Sequence, residues 1–255
     1  MIKDYLKVCK NNDEYVTFKF SEDFILPNVT LIEDEKKLEF NDDLFNGHEY
    51  IDLGLPSGTL WSTKNVGSES GSDYGLFFAW GETEGYKKDE GHIFSEEYYT
   101  VKDKYQIGDE NLRYIDDAAY IHMGGNWHMP TKEQIDELIN NCDIAVLEIE
   151  TKGDTSNKIQ YYQITSKNNN KIMYMPLACS INNSKFELGT DCIWSNKNFN
   201  QNYSYVLMVN TERIPNDDDT FTLGTKITFG TNETDTNRYK GMQVRGVIDN
   251  VIDKK

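Results

Sequence analysis

The sequence predicts an α+β fold with two helices and mainly antiparallel, turn-rich β-structure. Two segments have helical patterns, and strand-like segments precede and follow them. The 255 residues include 16 Tyr, 12 Phe and 4 Trp, which favour β-structure and supply apolar surface for a core. We therefore expect one large domain with a small N-terminal β-appendage.

The appendage is predicted to cover residues 1–47. EYVTFKF (14–20) alternates and places Val16, Phe18 and Phe20 on one face, and VTLIEDEKKLEF (29–40) contains two further short strands around a charged turn. A segment of this size buries little surface alone. We expect it to pack on the main domain, to oligomerise or to dock on a larger assembly.

The main domain is predicted to cover residues 48–250 and to begin with a hairpin. YIDLGL (50–55) alternates as a strand, PSG forms a turn, and GTLWSTKNVG (58–67) returns as the paired strand. DYGLFFAWGE (73–82) is a further apolar run that ends at a glycine.

Two helices follow. Asp116 or Asp117 is expected to cap AAYIHM, which stops at Gly124. Thr131 and Gln134 have the spacing of a capping box at the start of the second helix. Its buried stripe is predicted to consist of Ile135, Leu138, Ile139 and Cys142.

The segment after the second helix is predicted to be β-structure with Asn, Asp and Gly turns. The strand candidates are VLEIE, KIQYYQITSK, KIMYMPLA, CIWSN, SYVLMVN, KITFG and MQVRGVI.

Charge and motifs argue against several functions. The net charge of −17 disfavours binding to nucleic acid or to an anionic membrane. No apolar run is long enough to span a bilayer, and the N-terminus lacks an apolar signal core, although a chain whose signal had been removed would look the same. The sequence has no GxSxG, P-loop, HExxH or dinucleotide fingerprint, so we predict a non-enzymatic protein without a cofactor.

Candidate metal and thiol sites are weak. His122 and His128 flank Gly-Gly and could pair, but no third metal ligand is evident, and a backbone hydrogen bond is the favoured role of His128. Asn216-Asp217-Asp218-Asp219 lacks the spacing of a calcium loop and is interpreted as a solvated turn. We expect Cys9, Cys142, Cys179 and Cys192 to be buried free thiols, with a Cys179–Cys192 disulfide as the alternative.

The four tryptophans lie in turn-rich blocks, and a structural role explains all of them. Large rings fill gaps between irregular segments, and Trp127 is expected to fill the corner between the helices. The alternative is a solvent-facing ring that stacks on a sugar, for which Trp194 is the candidate. The set is Trp61, Trp80, Trp127 and Trp194.

Several blocks together resemble the FISUMP-type domain (Fibrobacter succinogenes major paralogous domain) of Bacteroidetes surface proteins and their phages. They are YIDLGLPSGTLWSTKNVG, DYGLFFAWGET, DDAAYIHMGGNWHMPT and RYKGMQVRGVI, in order from about residue 48 to 249. The resemblance implies a C-type-lectin-like fold. His128 and Val244-Arg245-Gly246-Val247 depart from the pattern of many relatives. The closing block has no cysteine, so the activity of the related formylglycine-generating enzymes is not implied.

The resemblance also implies a binding surface in the C-terminal third of the chain, after the WS motif. Asn amides, Tyr faces and Arg donors suit recognition. With Trp194, the implied binding residues are Asn196, Asn198, Asn200, Asn202, Tyr203, Asn237, Arg238, Tyr239 and Lys240.

The leading hypothesis is a phage virion protein, a fibre or a capsid or tail decoration, that binds a bacterial surface glycan or protein. Its N-terminal region would contact other virion proteins or form a homo-oligomer such as a trimer. One alternative is a purely structural virion component that uses the fold as a scaffold. Another is a bacterial cell-surface adhesin, which would be extracellular.

Overall fold

A computed structural model describes residues 5–10, 14–19, 44–70, 73–150, 158–176, 179–188, 191–210, 214–215, 221–222, 228–231 and 237–249. The chain forms two compact units, residues 1–39 and 40–255. The first contains an antiparallel hairpin of β1 (Tyr5–Lys10) and β2 (Glu14–Lys19), which confirms the strand predicted in EYVTFKF. The strands predicted within 29–40 and the turn at 216–219 lie outside the described residues.

The second unit is mostly β-sheet, so the α+β prediction is wrong. Its described part has only two α-helices, α1 (Ala118–Met123) and α2 (Lys132–Asn141), with a 3-10 turn at Tyr114–Asp116. Both helices lie where the patterns predict them, but they span six and ten residues. The described strands before and after them form several sheets, and these outweigh the helices.

The strands of this unit are short. In chain order they are β3 (Leu44–Phe45), β4 (His48–Asp52), β5 (Leu60–Asn65), β6 (Phe77–Phe78), β7 (Cys142–Glu150), β8 (Lys158–Ser166), β9 (Ile172–Pro176), β10 (Cys179–Asn182), β11 (Lys185–Leu188), β12 (Asp191–Asn198), β13 (Ser204–Asn210), β14 (Ile214–Pro215), β15 (Phe221–Thr222), β16 (Thr228–Thr231), β17 (Gly241–Gln243) and β18 (Arg245–Ile248).

These strands are divided among separate sheets, and the expected C-type-lectin-like arrangement is therefore wrong as well. A seven-stranded sheet has the order β11-β10-β17-β12-β13-β16, with β6 also paired to β17. A four-stranded sheet has the order β18-β5-β4-β3, a three-stranded sheet the order β7-β8-β9, and β14 pairs with β15. In the described part only β12–β17 is a parallel pair.

The closing block of the sequence connects the two largest sheets. MQVRGVI is predicted as one strand, but Val244 separates β17 from β18, which pair in different sheets. Residues 241–248 are all buried. Apolar and polar residues alike are buried, including Gln243 and Arg245, so no change in the sequence pattern marks the division at Val244.

The four tryptophans form the centre of the core. Trp61, Trp80, Trp127 and Trp194 are each 0% exposed, which confirms the structural interpretation. Trp61 packs with Ile135 and Leu138 of α2, whereas the other three share a second apolar cluster. The indole of Trp80 donates to the Ser195 carbonyl, and that of Trp194 to the Phe78 carbonyl, each at 2.8 Å. These two bonds tie the segment at 78–80 to β12.

The helix ends have the expected caps. Asp117, rather than Asp116, caps α1 by accepting the Tyr120 N–H at 3.0 Å, and Gly124 follows with φ of 66°. Thr131 and Gln134 form the predicted capping box, since each side chain accepts the backbone N–H of the other, at 3.1 and 2.9 Å. Both helices are therefore specified by local sequence.

Trp127 fills the corner between the helices, as predicted. Its indole donates to the Phe45 carbonyl at 3.0 Å. A Cβ at Gly246 would lie 2.6 Å from the Met123 sulfur and 2.9 Å from the Trp127 ring, so this position requires glycine. His128 pairs with Val247 through its backbone, and its Nδ1 bonds the Met129 carbonyl at 2.8 Å, which confirms its role in the turn.

Candidate functional site

A polar cleft of about 460 Å³ lies where three loops of the second unit meet. The loops are residues 96–106, the β12–β13 hairpin loop at 199–203, and residues 237–240 before β17. The lining residues are Glu96, Tyr99, Lys102, Asp103, Gln106, Gln201, Asn202, Tyr203, Asn237, Arg238 and Tyr239.

The hairpin loop is a compact turn. The N–H groups of Phe199 and Asn200 donate to the Tyr203 carbonyl at 2.9 and 3.2 Å. The Asn200 side chain accepts the N–H groups of Asn202 and Tyr203 at 2.8 and 3.0 Å. Tyr203 also forms an antiparallel bridge with Asn237, so the loop and the segment before β17 share backbone pairing. This wall of the cleft is fixed by local turn chemistry of a kind that Asn favours.

Asn198, at the end of β12, attaches the hairpin to the preceding polar segment. Its side chain is 0% exposed and donates to the carbonyls of Tyr105 and Ile107 at 2.9 and 2.8 Å. Its amide oxygen accepts the Glu110 N–H at 2.7 Å. Because a buried amide must have its hydrogen bonds satisfied, Asn198 specifies the path of residues 105–110.

The Arg238 guanidinium joins the two walls of the cleft. It is 1% exposed, and its five N–H groups all donate to protein oxygens. Nε donates to the Tyr99 hydroxyl, Nη1 to the carbonyls of Tyr105 and Gln201, and Nη2 to those of Val101 and Lys104, at 2.8–3.1 Å. Its rigid fork of donors can reach several oxygens at once, as a lysine cannot.

Aromatic rings complete the floor of the cleft. The Arg238 guanidinium carbon lies 4.6 Å from the centroid of the Trp80 ring, a distance at which a cation is attracted to the π-face. The Tyr99 hydroxyl donates to the Trp80 carbonyl at 2.6 Å, and burial raises the pKa of Tyr99 above its ordinary value. The phenol therefore stays neutral and keeps both of its hydrogen bonds.

Asp116 holds the 96–106 loop from outside the cleft. Its carboxylate accepts from Lys104 Nζ at 2.8 Å, from the Tyr105 hydroxyl at 2.7 Å and from Arg113 Nη2 at 2.9 Å. Burial raises the pKa of this carboxyl, but the hydrogen bonds from Lys104, Tyr105 and Arg113 outweigh it and hold the pKa below the ordinary value. Two charged side chains thus hold the loop. The buried Arg238 guanidinium binds its backbone carbonyls, and the Asp116 carboxylate binds the side chains of Lys104 and Tyr105.

Five of the ten sequence-predicted site residues line the cleft: Asn202, Tyr203, Asn237, Arg238 and Tyr239. Arg238 is buried and lies in the floor of the cleft. Lys240 is half-buried and does not line the cleft. Asn200 does not line it either, and its side chain accepts hydrogen bonds within the hairpin turn. Trp194, Asn196 and Asn198 are buried at 0, 9 and 0% exposure. Trp194 therefore has no face free to stack on a sugar.

The other wall of the cleft was missed by the sequence reasoning. Glu96, Lys102, Asp103 and Gln106 lie in a polar loop about a hundred residues before the hairpin, and no motif connects the two. Arg238 binds that loop mostly through backbone carbonyls, which leave no pattern of residue types. The only signal in the sequence is a long polar loop that contains the buried Tyr99 and the half-buried Tyr105.

The alternative sites considered from the sequence have structural explanations. His122 Nε2 bonds the Thr83 carbonyl at 2.8 Å, and the described residues contain no group of three or more metal-binding side chains. Cys142, Cys179 and Cys192 are buried thiols, as expected, and burial raises the pKa of Cys142 to about 11 and that of Cys179 to about 12. The side chain of Cys9 lies outside the described part of the chain.

A second pocket, of about 360 Å³, lies beside β4, β5 and the end of α1. Its two opposite charges, Lys64 and Glu49, pair with each other at 3.2 Å. None of the predicted binding residues lines it. The cleft at the hairpin loop is therefore the stronger candidate site.

Comparison with known protein families, curated proteins and solved structures finds no match to this chain. The resemblance to FISUMP-type domains thus rests on the sequence blocks. Neither helix in the described residues is long and apolar enough to cross a membrane.

Proposed function

We propose that the chain is a non-enzymatic recognition protein of a phage particle and that its polar cleft binds a bacterial surface glycan. The observation that carries the proposal is the cleft itself. Four amide side chains and two half-buried tyrosines surround a floor that a buried guanidinium holds in place. The six are Gln106, Gln201, Asn202, Asn237, Tyr203 and Tyr239.

This chemistry suits sugars. An amide both donates and accepts hydrogen bonds, as a sugar hydroxyl does, and a tyrosine ring offers a flat apolar face with a polar end. A floor fixed before binding lowers the ordering cost of association. These properties support glycan binding over binding of an apolar ligand, for which pockets are lined mostly by hydrophobic groups.

The lining residues also support a binding role over catalysis. The described lining of the cleft contains no histidine, cysteine, serine or threonine. Its carboxylates, Glu96 and Asp103, are exposed. Acid–base or nucleophilic chemistry depends on positioned groups of these kinds with tuned pKa values.

The location on a phage particle rests on the FISUMP-type sequence blocks, and membership of that family is part of the proposal. The N-terminal unit would join the protein to other virion proteins or to further copies of itself. Single glycan contacts are weak, and several linked copies raise the effective concentration at the cell surface.

The direct test is binding of a multivalent form, such as the protein on streptavidin, to a bacterial glycan array and to whole cells of Bacteroidetes. We expect binding to particular polysaccharides and to the strains that carry them. Absence of binding to every array member and every strain would contradict the proposal.

Alanine substitutions locate the site. Tyr203→Ala and Tyr239→Ala should each weaken binding by about tenfold or more, as loss of an aromatic contact at a binding site does. Tyr114→Ala is the matched control, because Tyr114 is 66% exposed and lies outside the cleft. Equal binding by all three variants, folded to the same extent, would show that the ligand binds elsewhere.

One observation favours the structural alternative. Ile107, Tyr114 and Ile115 are 73, 66 and 63% exposed and lie within nine residues of sequence. Exposed apolar side chains are common at protein–protein contacts. A particle map in which the cleft is filled by a neighbouring subunit would favour a purely structural role.

A further inference from the structure

We infer that the cleft selects uncharged sugars and rejects acidic ones. This inference rests on the proposed function and specifies its ligand class. It follows from the hydrogen bonds of the one arginine in the lining and from the sign of the exposed charges.

The one guanidinium in the cleft lining is unavailable to a ligand. Arginine at a binding site ordinarily indicates an anionic partner, because its fork matches a carboxylate, sulfate or phosphate. Here all five N–H groups of Arg238 donate to protein oxygens, and the side chain is 1% exposed. An acidic sugar would have to break these bonds to reach it.

The exposed charges of the lining are mostly negative. Glu96 and Asp103 oppose a single ammonium group, that of Lys102. The whole chain carries a net charge of −17, which adds a long-range repulsion for anions. Like charges brought together at an interface are costly, so the exposed carboxylates of the lining and the net charge of the chain both disfavour an acidic glycan, although the buried Arg238 charge offsets part of this effect within the cleft.

Apart from Glu96, Lys102 and Asp103, the side chains that remain for a ligand are neutral. The amides of Asn202 and Asn237 and the hydroxyls of Tyr203 and Tyr239 have no hydrogen-bond partner among the described residues. The side-chain oxygen of Gln106 is also available to a ligand. The amide nitrogen of the same side chain donates to the carbonyls of Lys102 and Lys104. Such donors and acceptors complement hydroxyl and acetamido groups rather than carboxylates.

The test compares polymers that share a backbone and differ mainly in charge. Suitable pairs are polygalacturonan with its fully methyl-esterified form, and dextran sulfate with dextran, added to the array of bacterial polysaccharides. For every pair in which either member binds, and for neutral against acidic bacterial polysaccharides, we expect the neutral member to bind at least about tenfold more tightly at low ionic strength.

The variant Glu96→Gln/Asp103→Asn should reduce that preference by severalfold, because it removes the repulsion at the cleft. Glu97→Gln/Asp89→Asn is the matched control: it removes the same charge at exposed positions outside the lining and should reduce the preference much less. An equal effect of the two variants would assign the selectivity to overall charge and overturn the role given to the cleft.

The outcomes separate the two proposals. Equal or tighter binding of the acidic members would overturn the inference and leave glycan recognition standing. Loss of cell binding after protease treatment of the cells, with no glycan bound, would identify a protein ligand and overturn both.

Discussion

At the residue scale, two charged side chains organise the cleft in opposite ways. Arg238 is buried and grips backbone carbonyls of two loops. Asp116 lies behind the 96–106 loop and grips side chains. Neither is placed to touch a ligand, and both determine where the lining residues stand.

Replacement of Arg238 tests the first of these roles. Arg238→Lys keeps the charge but cannot supply five planar donors, so buried carbonyls lose their partners and the free energy of unfolding should fall by roughly 3 kcal/mol. Arg113→Lys, at an exposed arginine, should cost much less, because exposed ion pairs contribute little to stability. Urea unfolding of both variants measures the difference, and equal costs would contradict the network described for Arg238.

Asp116 should make stability depend on pH. Its pKa is lowered in the folded protein, so its contribution is present above the ordinary carboxyl pKa of about 4 and is lost as the pH falls through the lower folded value. Asp116→Asn should therefore be less stable than the parent protein at pH 7, with the difference shrinking below about pH 4. Urea unfolding across this range provides the measurement. A constant difference would refute the assignment, and Asp89→Asn, at an exposed residue, is the control.

At the scale of elements, short pieces of secondary structure are positioned by large buried rings. The caps of α1 and α2 are local, but the corner between them depends on Trp127, which is packed against Gly246 of β18 and bonded to Phe45 of β3. The corner thus joins a helical turn to two strands of the four-stranded sheet.

Trp127→Ala should lower the free energy of unfolding by about 3–5 kcal/mol, because it removes a fully buried ring and leaves a cavity. Ligand binding by the fraction that remains folded should be unchanged, since the corner lies outside the cleft lining. A variant of full stability that had lost only its ligand would contradict the structural role, and thermal unfolding beside a binding assay distinguishes the two.

At the scale of the whole molecule, the sequence predicts local features such as helix caps and hairpins, but it does not predict how distant strands pair into sheets. The capping box at Thr131 and Gln134, the hairpin of β4 and β5 and the burial of the tryptophans all follow from short patterns. The fold class was wrong because the division of strands among sheets depends on pairings such as β17 with β6 and β12, which join residues far apart in the chain.

The candidate site divides in the same way. Asn202, Tyr203, Asn237 and Tyr239 lie close together and could be predicted as a surface near the end of the chain. The wall from residues 96–106 could not, because Arg238 attaches it through carbonyl groups that every residue possesses. Trp194 was the candidate for the alternative, a solvent-facing ring, because it lies beside Asn-rich turns, whereas its ring is in the core, as the structural interpretation of the tryptophans predicts.

The mode of attachment used by Arg238 has a consequence for evolution. The hydrogen bonds from Arg238 to the backbone carbonyls at 104 and 201 do not depend on which side chains those positions carry. Substitutions at the neighbouring lining positions 102, 103 and 106 would likewise leave the grip of Arg238 intact. The side chains that line the cleft can therefore be replaced while its frame is kept, which would suit the proposed recognition of a changing target.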